Sequence, residues 1–281
     1  MTNPNPLQHV VREYCCSRTL ASSTMYALIS LAKQWHHGAI TQANVANFLA
    51  DRRAKLSARS YNREKASLRA VINWASKHID GVPAIDFSGG GEKPLKNAIL
   101  WLSKDDLASI KGAILTDDLT EERDRFLLQC YTGLRASDID ALNEQLIVNN
   151  ILRIRLKKTG EIVSIPLSDE TLSLCHRVCS HKRVRNTQRI SAIRTICRLS
   201  GLTDAWTVAH RIGGKIVERT GQRWEFIGTH TARRSFICNL IAQGVSVDVI
   251  MAMTGHSSYE SIKPYIGIAD DTKRKALALL S

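Results

Sequence analysis

Residues 230–265, HTARRSFICNLIAQGVSVDVIMAMTGHSSYESIKPY, decide the reading of this chain. Phe236, Ile237, Leu240 and Ile241 recur at helical spacing up to Gly244, and a second helix is expected over about 246–254, with Val249, Ile250 and Met253 inward and Gly255 as its stop. His230 and Arg233 stand three apart at the start of the first helix, so imidazole and guanidinium share a face where helix N–H groups attract an anion. His256 follows the second stop at once. Ser257 and Glu260 have the spacing of a capping box, which predicts a short helix running toward Tyr265. Pro264 is expected to break that helix just before the tyrosine and to leave the segment free to engage or disengage.

Upstream, Thr132-Gly133-Leu134-Arg135 places a second arginine just beyond a helix that ends at Gly133, with Asp138 on the following turn. Any one of these groups alone is an ordinary surface residue. In series they supply two guanidiniums, two imidazoles and a phenol, the set that metal-free attack on a phosphodiester requires: fixed cations, a proton relay and a nucleophile.

Between these groups the period changes. Leu152, Ile154 and Leu156 alternate with Arg153, Arg155 and Lys157, then Lys158-Thr159-Gly160-Glu161 turns the chain back into 162–167. A third strand at 146–148 would pair through Asn149-Asn150, and Lys158 is held at the hairpin turn.

The rest of the 281 residues reads as helices. One is expected over 22–36 with Tyr26, Ile29, Leu31 and Trp35 as its apolar positions, one after Thr41 with Val45, Phe48 and Leu49, and a long one over about 57–78 with Leu68, Val71, Ile72 and Ala75 inward. Ser103 and Asp106 mark a further helix start. An acidic surface helix near 117–124 precedes an apolar one from Phe126. The run Phe87-Ser88-Gly89-Gly90-Gly91-Glu92-Lys93-Pro94 is the best linker. It divides the chain into a helical domain at 1–88, a linker at 89–97 and a larger domain at 98–281, the layout of a clamp. The fold class is therefore mainly α with a small antiparallel β-sheet, in two domains.

The formal net charge of +13 points to a polyanionic partner, nucleic acid before acidic membrane. Two clusters carry it. Arg52, Arg53, Lys55, Arg59, Arg63, Lys65 and Arg69 face a single Glu64, and residues 171–203 hold Arg177, Lys182, Arg183, Arg185, Arg189, Arg194 and Arg198 with no acidic residue at all. Arg52, Arg53, Lys55, Arg59, Arg63, Arg69, Lys182, Arg183, Arg185 and Arg189 are the candidate DNA contacts. No run approaches the apolar length of a membrane span, and the N-terminus lacks a basic segment followed by an apolar one, so the protein is expected to stay in the compartment where it is made. The seven cysteines read as reduced thiols. Cys175, His176, Cys179, His181 and Cys197 include metal-type ligands, but Cys175 and Cys179 sit four apart beside Leu172, Leu174 and Val178, which favours a core face, and no metal is expected.

The ordered series resembles the tyrosine recombinases, the phage-integrase and Xer-like family of site-specific DNA recombinases. The Thr-Gly-Leu-Arg element makes Arg135 the first catalytic arginine, and Asp138 the acid that braces it. Lys158, in Lys158-Thr159-Gly160, takes the place of the catalytic lysine; His230 and Arg233 fill the His-x-x-Arg box; Gly255-His256 and Tyr265 complete the set. The wording Thr231-Ala232-Arg233-Arg234-Ser235-Phe236 is most similar to integrases of mobile elements. The resemblance implies an N-terminal helical, SAM-like core-binding domain over 1–88, a C-terminal α+β catalytic domain, and cleavage of double-stranded DNA at a specific site through a 3′-phosphotyrosine and a Holliday junction. It further implies a tetramer on DNA from monomers when free, no cofactor, and action on the nucleoid in the cytoplasm of a bacterial or phage-host cell, with an accessory directionality protein as a possible partner. The tail 266–281, amphipathic through Ala276, Leu277, Leu279 and Leu280, is expected to dock on a neighbouring subunit. Two rivals stand beside this reading: a helical DNA-binding regulator without cleavage, and the same chemistry in a type IB topoisomerase.

Overall fold

The computed structural model describes residues 5–181 and 186–266. The candidate contacts Lys182, Arg183 and Arg185, and nearly all of the tail expected to dock, lie outside them. The described chain is mostly helical with two small antiparallel sheets, and it divides into two compact units, Met1–Asn97 with Thr207–Arg219, and Ala98–Trp206 with Thr220–Ser281.

The first unit is built on α1 (Pro6–Cys16), α2 (Ser22–Lys33), α3 (Gln42–Lys55) and α4 (Ala58–His78). Asn5 accepts from the Leu7 and Gln8 N–H groups and Pro6 occupies the first turn, so α1 begins where a missing N–H costs nothing. Thr41 and Ser57 cap α3 and α4 in the same way, each accepting from the N–H three residues on. Leu68, Val71, Ile72 and Ala75 are fully buried against Leu7, Val10 and Val11 of α1 and Phe48 of α3. On α2 the inward face differs from the expected one: Leu28, Leu31 and Ala32 are buried, whereas Tyr26 is 73% and Ile29 41% exposed. Trp35 is buried, but beyond the helix end.

The glycine run is not a free tether. Asn62 of α4 donates to the Glu92 carbonyl at 2.7 Å and accepts from the Glu92 N–H at 2.8 Å, and Arg53 pairs with the Glu92 carboxylate. Lys65 reaches the Gly89 carbonyl. Residues 89–97 thus belong to the first unit, whose edge falls at Asn97.

The second unit opens with α5 (Lys104–Gly112), where Ser103 and Asp106 form the expected capping box. The acidic stretch and the apolar run behind it form one continuous helix, α6 (Asp117–Thr132); Asp117 and Asp118 are exposed as expected, whereas Glu122 and Asp124 are buried. Then come the four-residue helix α7 (Ala136–Ile139) and strands β1 (Ile147–Val148), β2 (Ile151–Arg155) and β3 (Ile162–Pro166) in the order β1-β2-β3. Asn149 and Asn150, with φ of 51° and 60°, make the tight turn between β1 and β2. Leu152 and Ile154 face inward opposite Ile165 and Val163.

Helices α8 (Asp169–Ser180) and α9 (Asn186–Leu199) lead to a hairpin that the pattern reading missed, β4 (Ala205–Ile212) and β5 (Lys215–Gln222). Its turn is Gly213-Gly214, both at positive φ. Residues 207–219 of this hairpin belong to the first unit, where the Gly213 N–H donates to the Arg53 carbonyl at 3.1 Å and Asn97 bonds both polar groups of Ala209.

The last elements are α10 (Thr229–Ala242), α11 (Val247–Thr254) and α12 (Lys263–Ile266). Phe236, Ile237, Ile241, Ile250 and Ile262 form a small core among them, with Val249 exposed rather than inward. Pro264 does not break a helix. It occupies the first turn of α12, where its missing N–H is no loss, and a 3-10 turn at Tyr259–Ser261 stands where the capping-box helix was expected.

Candidate active site

Arg233 is the centre of the site. One turn into α10, its side chain is 3% exposed, and Nη1 donates to the Gly133 carbonyl at 2.9 Å while Nη2 donates to the Thr254 carbonyl at 2.7 Å. Among the described residues no carboxylate pairs with it. Desolvation, then the nearby Arg135, lowers its pKa to about 10, against the pull of Tyr265 and Asp138, so it remains a cation at neutral pH.

Both carbonyls come from helix ends. Gly133 terminates α6 at φ 69°, and a Cβ there would stand 2.5 Å from Phe236 Cδ1. Gly255 terminates α11 at φ 63°, and a Cβ there would stand 2.3 Å from Leu156 Cδ1 at the hairpin. These two close approaches seat α10 and the β2–β3 turn against the helix ends that hold Arg233. Replacing either glycine would introduce both a disfavoured φ and a clash.

His256 follows Gly255. Arg233 Nη2 lies 3.3 Å from its Nδ1 and 3.1 Å from its Nε2. One atom cannot approach both ring nitrogens so closely within the ring plane, so the guanidinium stacks over the imidazole face. Thr254 Oγ1 donates to the Ile250 carbonyl at 2.5 Å, and therefore accepts from His256 Nδ1–H at 2.7 Å. Nε2 is left with its lone pair. Desolvation, then Arg233, Arg135 and His230, pushes the His256 pKa down to about 4, so the ring is neutral without a ligand.

Arg135 caps α7 and carries a buried Nη1 with no hydrogen-bond partner. Asp138 does not brace it. Asp138 Oδ1 accepts from the Lys157 N–H at 3.0 Å, and among the described residues no ion pair joins Asp138 to Arg135. The carboxylate fastens the hairpin to α7 instead. Lys158 stands exposed in the turn closed by Gly160 N–H to the Leu156 carbonyl at 2.8 Å. His230 lies at the start of α10, its outer edge exposed; desolvation, then Arg234, Arg233, Arg135 and Lys158, holds its pKa below the usual imidazole value. Tyr265, in α12, is half-buried beside Ile262 and close enough to Arg233 to act on its charge. Four of the expected residues, Arg135, His230, His256 and Tyr265, thus converge around Arg233. Arg135, His230 and Arg233 line one cleft of about 360 Å³.

The candidate DNA contacts divide. Lys55, Arg59, Arg63 and Arg69 are exposed and make no ion pair among the described residues. Arg52 is forked onto Glu64 at 2.8 and 2.9 Å, and Arg53 is paired with Glu92. Arg189 is not on the surface: it is 2% exposed, bonded to Asp140 at 2.7 and 3.1 Å and 3.1 Å from Glu122. Its neighbours in the acid-free stretch are also occupied, Arg177 by Asp124 at 2.8 Å, Arg194 by the Ile227 carbonyl, and Arg198 over Trp224. A segment without acids is balanced here by acids far away in sequence. Cys175 is buried in the core with its pKa pushed up to about 12, and among the described residues no group of ligands could hold a metal ion.

Residues 101–271 match the Phage integrase family. A tyrosine recombinase XerC from Syntrophus aciditrophicus is 26% identical over 219 residues, 74% of this chain and 69% of that protein. A tyrosine recombinase XerD from Corynebacterium glutamicum is 26% identical over 255 residues, 84% of this chain and 81% of that protein. The lambda integrase tetramer bound to a Holliday junction superposes with a TM-score of 0.70 at 17% identity, over 92% of this chain and 76% of that one, a shared fold. With its family match covering more than half of its length, the chain belongs to the phage integrase family of tyrosine-type site-specific recombinases.

Proposed function

We propose that this recombinase cleaves and rejoins double-stranded DNA through a covalent 3′-phosphotyrosine at Tyr265. The observation that carries the reading is Arg233, a buried guanidinium held by two carbonyls and an imidazole face rather than by a carboxylate. Such a group keeps its full charge for an anion that enters the cleft, and Arg135 adds a second guanidinium with a buried unpartnered nitrogen.

Tyr265 attacks phosphorus, the bond to the 5′ oxygen breaks, and the phosphodiester is conserved as a phosphotyrosine ester. Arg135, Arg233 and His256 hold the non-bridging oxygens; the lone pair on His256 Nε2 means that it must gain a proton to donate there, which the incoming negative charge favours. His230, whose depressed pKa keeps it neutral, accepts the phenol proton. Lys158, beside His230, protonates the leaving 5′ oxygen. A 5′-hydroxyl of a second duplex then reverses the step. Two such exchanges within a tetramer pass through a Holliday junction. In this reading the first unit is the core-binding domain of a clamp, with Lys55, Arg59, Arg63 and Arg69 on phosphates, and the enzyme works on the nucleoid in the cytoplasm.

Incubation with a nicked duplex, selected from random sequence by its binding to the protein, tests this on a denaturing gel. A DNA adduct with the wild-type protein and none with Tyr265→Phe is expected. Tight binding with no adduct would leave a regulator without cleavage, and relaxation of plasmid lacking any site would indicate a topoisomerase.

A further inference from the structure

Arg135 stands at the head of α7, only four residues long and too short to hold its own geometry. Asp138 ties the middle of this helix to the hairpin, and a second anchor lies at the other end. Asp140 caps α7, its N–H donating to the Ala136 carbonyl at 3.0 Å, and its carboxylate is gripped by both terminal nitrogens of Arg189 from α9, at 2.7 and 3.1 Å. Arg189 is itself fixed by Glu122 of α6 at 3.1 Å and is almost wholly buried. Arg135, Asp140 and Arg189 line the same cleft as Arg233. A forked guanidinium–carboxylate pair constrains both distance and plane, so it can set the angle at which α7 presents its first residue.

We propose that Arg189 is a positioning residue for the cleavage reaction: by clamping Asp140 it holds α7, and therefore the Arg135 guanidinium, at the reacting phosphate. Its charge is spent on the Asp140 carboxylate, with Glu122 beside it, and does not itself meet DNA. The proposal rests on the phosphotyrosine reading above. It separates Arg189 from the exposed arginines of α4, whose removal would weaken binding, because a misplaced Arg135 slows the chemical step with binding intact.

Arg189→Met keeps side-chain length without the fork, and Asp140→Asn keeps shape while removing the charge that Arg189 grips. Adduct formation is measured in single turnovers at saturating nicked duplex, with a phosphate or with a methylphosphonate at the scissile position. The methylphosphonate carries no negative charge for Arg135 to neutralise. Both variants are expected to bind DNA within about threefold of wild type but to cleave the phosphate substrate up to on the order of 10²-fold more slowly, with a much smaller loss on the methylphosphonate. Equal slowing on both substrates would mean general loosening of the fold and would overturn the proposal, as would wild-type rates. Should Arg189→Met fail to fold, Asp140→Asn alone decides between the same outcomes. Absence of adduct from the wild-type protein on both substrates would instead overturn the phosphotyrosine reading, and the role of Arg189 with it.

Discussion

Two groups of cations in this molecule do different physical work. On α4 of the first unit, Arg59 and Arg63 sit four residues apart, exposed and without ion pairs among the described residues. In the second unit Arg233 and Arg189 are 3% and 2% exposed, their terminal nitrogens aimed by two carbonyls and by the Asp140 carboxylate. Exposed cations attract a polyanion over a Debye length and yield to salt. Buried ones are held in one geometry in a medium of low dielectric, which in the proposed reading lets Arg233 act on a single phosphate and Arg189 hold the elements around it. In the proposed function the first group governs whether DNA is held, and the second what happens to it.

Substituting a cation of the same charge but a different shape breaks that comparison most sharply. Arg233→Lys keeps the charge and loses the fork that spans the Gly133 and Thr254 carbonyls. Cleavage of a nicked duplex is expected to fall by about 10²–10³-fold, the usual cost of one oxyanion donor, with DNA affinity nearly unchanged. An adduct rate within tenfold of wild type would show that charge alone suffices at this position.

Acid separates the groups next. His256 has an unfolded value of 6.5 and a folded value of about 4, so between those limits the unfolded chain binds the extra proton and stability falls as pH is lowered. The loss should approach roughly 3 kcal/mol by pH 4, reduced by whatever solvent reaches the half-buried ring. Urea melts of the free protein at pH 7.5 and pH 5 measure it. The dependence should flatten in His256→Gln; an equally steep decline in that variant would assign the loss to other groups.

Local pattern made one part of the molecule legible and long-range pairing hid the other. The inward face of α4, the Asn149-Asn150 turn and the Ser103 cap follow from spacing alone, because each is decided within a few residues. The convergence of Arg135, His230, Arg233, His256 and Tyr265 was readable only as an ordered series. The hidden features depend on partners far away: Glu122 and Asp124 were read as surface because Arg189 and Arg177 lie more than 50 residues on, and Asp138 was assigned to Arg135 when it holds the hairpin. Two misses carried usable signals. Asn5-Pro6 followed by Leu7, Val10, Val11 and Tyr14 announces α1, and Gly213-Gly214 between alternating residues announces the second hairpin. On α2 the spacing was helical and Leu31 and Trp35 are buried as expected, but Tyr26 and Ile29 face outward while Leu28 and Ala32 face the core.

The smallest effect lies within the basic cluster itself, where Arg52 and Arg59 look equivalent in sequence. Arg52 is already neutralised by a two-pronged bond to Glu64, whereas Arg59 and Arg63 face solvent. A cation that meets a phosphate releases a counterion, and each such contact adds about −0.9 to the slope of log affinity against log salt. Arg59→Gln with Arg63→Gln should therefore flatten that slope by about 1.8 if each meets one phosphate. Arg52→Gln should leave it unchanged, though the freed Glu64 would weaken binding slightly at low salt through its own repulsion. Fluorescence anisotropy with one duplex from 50 to 300 mM salt, on the order of the range where such slopes are linear, resolves the two. A slope flattened by Arg52→Gln and untouched by the double substitution would place DNA against the end of α3 rather than on the exposed arginines of α4.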